Sequence, residues 1–271
     1  MPRAKRILAI SDTHCGHAVG LTPPDWQWGL KGASNTKWNK YAEIQGQLWN
    51  HYISLVKSLA PIDIVFFLGD AIDGKGKRSG STELVTADLQ EQCEMAVGCF
   101  EALYKANGKK PKVIGVYGTP YHTSEDGQDY ENLVAMQAGW DDIGSHEWVD
   151  VNGCVFDLKH KIGSSSIPHG RATAVLRDAL WNLIWSSDNE QPRAQVLLRG
   201  HAHFYIAVDH PAGLAAVLPS LQGMGSKYGS RQCSGTVHWG GMHFDVDSKG
   251  VVEWDRHLVK IEAQAAKAIK L

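Results

Sequence analysis

The chain has 271 residues, 43% hydrophobic and 21% charged, with 27 Lys and Arg against 29 Asp and Glu; this ordinary balance excludes wholesale disorder and a nucleic-acid coat that binds through overall positive charge. The longest apolar stretch, residues 62–68, is broken by Asp63 and is too short to span a bilayer, and the apolar run at 7–10 is too short for a signal-peptide core. Five cysteines with no Cys-x-x-Cys pair exclude a disulfide framework and a thiolate zinc site, so the expected location is the reducing cytoplasm and most cysteines are expected in the core.

In chain order, residues 6–11 form an apolar run that predicts a buried strand. A long loop over 16–37, rich in Gly, Pro and Trp, precedes a helix over 39–59. There Tyr41, Ile44, Leu48, Tyr52, Leu55 and Leu59 recur at three- and four-residue spacing and set one apolar stripe against a sheet. Residues 62–68 predict the next strand. The helical period returns over 81–106 through Leu84, Leu89, Met95, Val97, Phe100 and Leu103, with Ser81 or Thr82 as cap and Gly108 as stop. Strands at 113–117, 155–159 and 195–198 and a helix over 171–185 follow. Short strands at 205–208, 215–218, 242–246 and 251–259 then alternate with Gly, Asp and Ser turns, around a second long loop at 222–241. The tail, 262–271, reads as a terminal helix. The pattern predicts an α/β protein, a layered α/β/β/α sandwich of two mixed sheets flanked by helices, with the late strands forming the second sheet in a single domain spanning 1–271.

Cation-holding side chains collect at the ends of these strands. The first ends in Ser11-Asp12-Thr13-His14 and the second in Leu68-Gly69-Asp70-Ala71-Ile72-Asp73, where Gly69 permits a close turn. The third ends in Tyr117-Gly118-Thr119-Pro120-Tyr121-His122, the strand at 155–159 in His160, and the strand at 195–198 in Arg199-Gly200-His201-Ala202-His203. Ligands of open α/β sheets gather at such carboxyl ends. One Asp or His there is ordinarily a cap or a surface group. Asp-x-His, Gly-Asp-x-x-Asp and Gly-His-x-His in that order, each after an apolar strand, form a set that chance rarely assembles. Mixed carboxylate and imidazole donors suit manganese, iron or zinc, not calcium, and predict a dinuclear transition-metal site.

These ordered motifs resemble those of the calcineurin-like metallophosphoesterases, over about residues 6–260. The resemblance implies phosphoester hydrolysis with two divalent transition-metal ions, manganese or alternatively iron or zinc. It implies Asp12, His14 and His203 as ligands of the first ion, His160 and His201 of the second, and Asp70 as the bridge. Asp73 takes, by the same resemblance, a supporting role that orients a ligand histidine. The chain departs from the family at the third motif, where Gly118-Thr119-Pro120-Tyr121-His122 replaces Gly-Asn-His-Asp/Glu. In the family that asparagine binds the second metal and the next histidine protonates the leaving group. Here His122 is expected as the acid, with metal ligation its other assignment and Thr119 a weak substitute or a spectator. Asp126, Asp129 and Glu131 are alternative oxygen donors, although residues 125–131 read first as an acidic helix start. His17, His169 and His238 lie on loops able to fold over the metals but read first as surface histidines, and Cys15 as a small buried residue.

Trp26, Trp28 and Trp38 lie among Lys31 and Lys37, and Lys75, Lys77 and Arg78 follow the second motif. Aromatic faces mixed with positive charge point to a phosphodiester of a nucleotide or nucleic acid as the substrate. Tryptophans that merely pack a long loop down are the competing explanation. A phosphomonoesterase or protein phosphatase would use the same site, and a non-catalytic scaffold with a decayed site is the alternative of another kind. The expected partner is the phosphoester substrate, with no membrane association; no motif encodes an oligomeric state.

Overall fold

The computed structural model describes residues 3–76, 80–125, 128–224, 237–265 and 268. β1 (Lys5–Ile10) leads into α1 (Thr36–Leu59), β2 (Ile64–Phe67), α2 (Leu89–Asn107) and β3 (Lys112–Val116). The short α3 (Pro120–Thr123), the two-residue strands β4 (Ser124–Glu125) and β5 (Gln128–Asp129), α4 (Tyr130–Ala138) and β6 (Asp142–Gly144) follow. Then come β7 (Glu147–Val151), β8 (Cys154–Lys159), α5 (Arg171–Ser187), β9 (Val196–Arg199), β10 (Ile206–His210), β11 (Gly213–Val217), β12 (Trp239–Val246) and β13 (Val252–Val259).

Two mixed sheets result. The first has the order β13-β12-β1-β2-β3-β6, in which β1, β2, β3 and β6 are parallel and β12 and β13 antiparallel additions. The second, β10-β11-β9-β8-β7, has parallel β11, β9 and β8 at its centre and antiparallel strands at both edges. Leu8 and Ile10 face α1 and α2 with Val65, Phe67, Leu48 and Phe100, whereas Ile7 and Ala9 face the second sheet with Phe66, Phe156, Leu198 and Phe244. Burial on both faces explains why these strands read as unbroken apolar runs. α5 covers the far side of the second sheet through Val175 on Leu197, Ala215 and Val217. The expected α/β/β/α layering is met.

Three expectations are corrected. β12 and β13 join the first sheet, because Met242, Phe244 and Val246 enter the inter-sheet core and β1 gains an antiparallel neighbour on its open edge. The helix expected from Ser81 begins at Leu89, because the Asp88 carboxylate accepts from Gln90 N (2.8 Å) and Glu91 N (3.2 Å). Leu84 instead bridges to His17, while Gly108 stops the helix at φ 76° as expected. The tail shows a 3-10 turn at Glu262–Gln264 and extended backbone at Ala265; most of 266–271 lies outside the described residues. Cys15, Cys93, Cys99 and Cys154 are buried free thiols, and Cys233 lies outside the described residues. Among the described residues no helix is long and apolar enough to cross a membrane.

Candidate metal centre

β1, β2 and β3 in one sheet and β8 and β9 in the other present their carboxyl ends at one end of the sandwich. Past the strands the chain keeps pairing: Asp12 N donates to Gly69 O (2.9 Å), His14 N to Asp70 O (3.0 Å) and Gly200 N to His160 O (2.9 Å). Across the sheets, His201 N donates to Asp12 Oδ2 at 3.1 Å. Asp12, His14, Asp70, His201 and His203 all adopt positive φ, between 43° and 69°, a region that costs a non-glycine residue about 1–2 kcal/mol. The ends close tightly because of two glycines. A Cβ at Gly69 would stand 2.6 Å from Gly118 Cα, and one at Gly118 would stand 2.2 Å from Asp70 N.

All six expected ligands meet here. Asp12, His14 and His203 form one set and Asp70, His160 and His201 another, each with its donor atoms within 4.8 Å of one another; His14, Asp70 and His122 form a third. His203 Nε2 lies 3.1 Å and His14 Nε2 3.7 Å from Asp12 Oδ1. Asp70 Oδ2 lies 3.1 Å from His160 Nε2 and 3.7 Å from His14 Nε2, so it faces both sets. Asp12, His14, Asp70 and His160 are buried, while His122, His201 and His203 line the half-open side.

Neighbouring groups fix the rings. The Asp73 carboxylate lies 3.0 Å from His14 Nδ1, and His160 Nδ1–H donates to Leu68 O (2.5 Å). His122 Nδ1–H donates to Asp73 O (2.7 Å). Each bond turns the Nε2 lone pair away from its own anchor. Thr119 is not peripheral: its hydroxyl lies 3.2 Å from His160 Nε2 and 3.1 Å from His201 Nδ1, and its N–H donates to Asp70 Oδ1 (2.6 Å).

Burial opposes ionisation of Asp12, yet the imidazoles of His203 and then His14 beside it hold its carboxyl well below the usual range. Against burial, His160 lowers Asp70, and His17 and His14 lower Asp73 to about 2. Against burial again, Asp70 raises His160 to about 9, and Asp12 and Asp73 raise His14. Burial lowers His122 and His201, helped by His14 in the first and His160 in the second. Asp12 Oδ1 is buried with no hydrogen-bond donor aligned on it among the described residues, and the Nε2 atoms of His14 and His203 converge to 3.2 Å. An orphaned carboxylate oxygen beside converging imidazole nitrogens fits a divalent transition metal.

Glu131, expected as an alternative oxygen donor, faces backbone N–H groups with both of its oxygens. It is fully buried, with Oε1 accepting from Ala71 N (2.9 Å) and Oε2 from Gly118 N (2.5 Å), so it braces the turns after β2 and β3. The helix start itself is capped by Asp129, which accepts from Glu131 N (3.1 Å); Asp126 lies outside the described residues. His17 is buried, contrary to expectation, because its Nδ1 accepts from Val19 N and its backbone bridges to Leu84. His238 is half-buried, with Nδ1 accepting from Tyr205 N (2.9 Å), and His169 is exposed. Cys15 is buried against Cys99. Trp28 stacks at 4.0 Å on Trp38, over whose ring Lys31 also lies, and Trp26 donates to Glu91 (3.1 Å), so the tryptophans pack the loop down on α1 and α2. Lys77 and Arg78 lie outside the described residues.

No family model and no curated protein matches the chain. Among solved structures it is similar to Vps29 from Cryptosporidium parvum, with a TM-score of 0.45 and 12% identity over 95% of this chain and 99% of that one. It is similar to an archaeal phosphodiesterase with a TM-score of 0.44 and 12% identity over 94% and 99%. Vps29 from Entamoeba histolytica complexed with zinc gives a TM-score of 0.43 and 12% identity over 93% and 98%.

Proposed function

We propose that the chain is a calcineurin-like metallophosphoesterase that hydrolyses a phosphodiester of a nucleotide or nucleic acid with two divalent transition-metal ions, manganese or alternatively iron or zinc. The observation that carries this reading is Asp70, whose Oδ2 faces His160 of one donor set and His14 of the other. On this reading Asp12, His14 and His203 hold the first ion, His160 and His201 the second, and Asp70 both.

When bound, two such ions polarise the phosphoryl oxygens and lower the pKa of water for in-line attack. The chain's own residues prepare the rest. Asp73 and the Leu68 carbonyl hold the His14 and His160 rings in one orientation. The Thr119 hydroxyl places a neutral oxygen between His160 and His201 where the family pattern has an amide. His122, anchored through Nδ1 on the half-open side, gives the leaving oxygen a proton from Nε2. Its lowered pKa makes the imidazolium a stronger acid that is populated toward acidic pH. We take residues 1–271 as one domain working in the cytoplasm, a reading supported by the buried free thiols.

The test is metal content together with hydrolysis of bis-p-nitrophenyl phosphate and p-nitrophenyl phosphate, with added manganese, for the wild type and Asp70→Asn. Two ions per chain and diester cleavage lost in the variant are expected. Monoester preference moves the reading to a phosphomonoesterase or protein phosphatase. No bound metal and no hydrolysis overturns the enzyme and leaves a binding scaffold.

A further inference from the structure

A surface helix ordinarily turns its large apolar side chains toward the core. α5 does the reverse. Its buried residues are Val175 and Asn182, whereas Leu176, Leu180, Trp181, Ile184 and Trp185 are exposed, Leu180 by 56% and Trp181 by 45%. These five fall in two adjacent rows at four-residue spacing and so form one outward face. The Trp181 and Trp185 rings lie beside each other with centroids 5.5 Å apart. Half of the large apolar side chains exposed among the described residues stand on this one helix.

Three inward contacts fix the rotation of the helix and keep that face outside. Val175 packs on Leu197, Ala215 and Val217, and the Asp178 carboxylate accepts from Arg199 Nε at 3.0 Å. The Asn182 side chain donates to Pro192 O and accepts from Ala194 N, each at 3.0 Å. Area and charge then select what covers the outer face. The five side chains leave roughly 450 Å² of mostly apolar surface open. A stable interface buries about 800 Å² per partner, of which about 56–65% is apolar, so this face alone supplies about the apolar share of one side. The exposed charges around it have both signs: Arg177 lies near the start of α5, and Asp188 and Glu190 lie just past its end. A lipid surface calls for a basic rim. A second copy of α5 laid antiparallel, about a two-fold axis near Trp181, sets each Arg177 toward the acidic end of the other helix and opposes the two helix dipoles favourably.

We infer that α5 is the interface of a homodimer, in which a second copy of this chain packs its own α5 antiparallel over Leu176, Leu180, Trp181, Ile184 and Trp185. The inference stands apart from the phosphoesterase reading, since none of these side chains belongs to the metal centre. Such an interface is isologous, so each substitution on the face acts twice.

The experiment is sedimentation velocity of the full chain over about 0.1–50 μM, with chelator and with added manganese, for the wild type, Leu180→Glu and Trp181→Glu. Circular dichroism and urea unfolding check that these exposed substitutions leave the fold intact. The wild type is expected to form a dimer as its concentration rises, and either glutamate should raise the dissociation constant at least about thirtyfold. Arg177→Glu should weaken the dimer severalfold, and combining it with Asp188→Arg and Glu190→Arg should restore it. Only pairing between opposite ends of two helices gives that rescue. A wild type that stays monomeric at the highest concentration, or glutamate variants that dimerise as well as the wild type, overturns the inference. A charge-swapped variant no tighter than Arg177→Glu overturns the antiparallel pairing. A monomer that co-sediments with vesicles of phosphatidylcholine and phosphatidylglycerol also overturns the dimer and assigns the face to a lipid surface.

Discussion

Glu131 ties the centre to the stability of the whole fold. Glutamine at this position keeps the shape and one acceptor oxygen, but turns an amide N–H toward either Ala71 N or Gly118 N. One hydrogen bond is lost and a donor faces a donor, at about 1–3 kcal/mol. The pH dependence is larger. Burial, and then the charge of Asp70, push the wild-type carboxyl from 4.5 up to about 8 against its two backbone donors. Between those values the folded state binds more protons than the unfolded one. Stability is therefore full below about pH 4.5, falls as pH rises, and levels off above about pH 8. The displacement corresponds to a loss of about 5 kcal/mol, and glutamine does not titrate. Urea unfolding in chelator at about pH 5, 6.5 and 8.5 measures both proteins, and their difference cancels groups that titrate in each. At the lowest pH the wild type should be the more stable; at the highest, Glu131→Gln should have closed the gap by several kcal/mol. Parallel profiles would refute the argument.

Metal binding should strengthen with pH up to about 9 and release protons at neutral pH, because His160, raised to about 9, and His14, also raised, must give up protons first. Calorimetry in buffers of different ionisation enthalpy measures the release, and a pH-independent affinity contradicts it. Asp73→Ala removes the carboxylate at 3.0 Å from His14 Nδ1 while leaving the main-chain carbonyl that anchors His122. Competition with a chromophoric chelator should show a metal affinity about 10–100-fold lower; an unchanged affinity would mean that His14 needs no such support. His203 sits at φ 55°, so His203→Gly should be more stable in urea than His203→Ala by about 1 kcal/mol. An alanine variant of equal or greater stability removes the claim of backbone strain.

The central strands were legible because their residues are buried on both faces, which leaves no polar alternation to confuse them. α1 was legible because one stripe from Tyr41 to Leu59 faces the sheet. The start of α2 was not, since Leu84 falls into the helical period yet packs on Gly76 from a turn. α4, with nine residues, and β7, a half-buried edge strand, are too short or too mixed for periodicity to declare them. The placement of β12 was hidden for a different reason. Alternation in Met242, Phe244 and Val246 reveals which face is apolar, but its partner β1 lies at the far end of the chain.

The candidate ligands were legible by position, each standing just past an apolar strand, whereas their backbone conformation was not. Five of them hold positive φ, and at about 1–2 kcal/mol each the total is comparable with the ~5–15 kcal/mol net stability of a typical domain. Local preference does not hold such residues there; contacts between segments distant in sequence do. His201 N reaches Asp12 Oδ2, His160 Nδ1 reaches Leu68 O, and Glu131 spans Ala71 N and Gly118 N. The first two links join strand ends that meet only once both sheets are packed, and the third ties the turns after neighbouring strands β2 and β3 to α4, so no short window of sequence contains any of them. The same dependence couples chemistry to stability: a substitution that loosens the Phe66, Phe156 and Phe244 packing between the sheets weakens the links that hold the strained ligands. Such a change would disturb the centre well before it unfolds the chain.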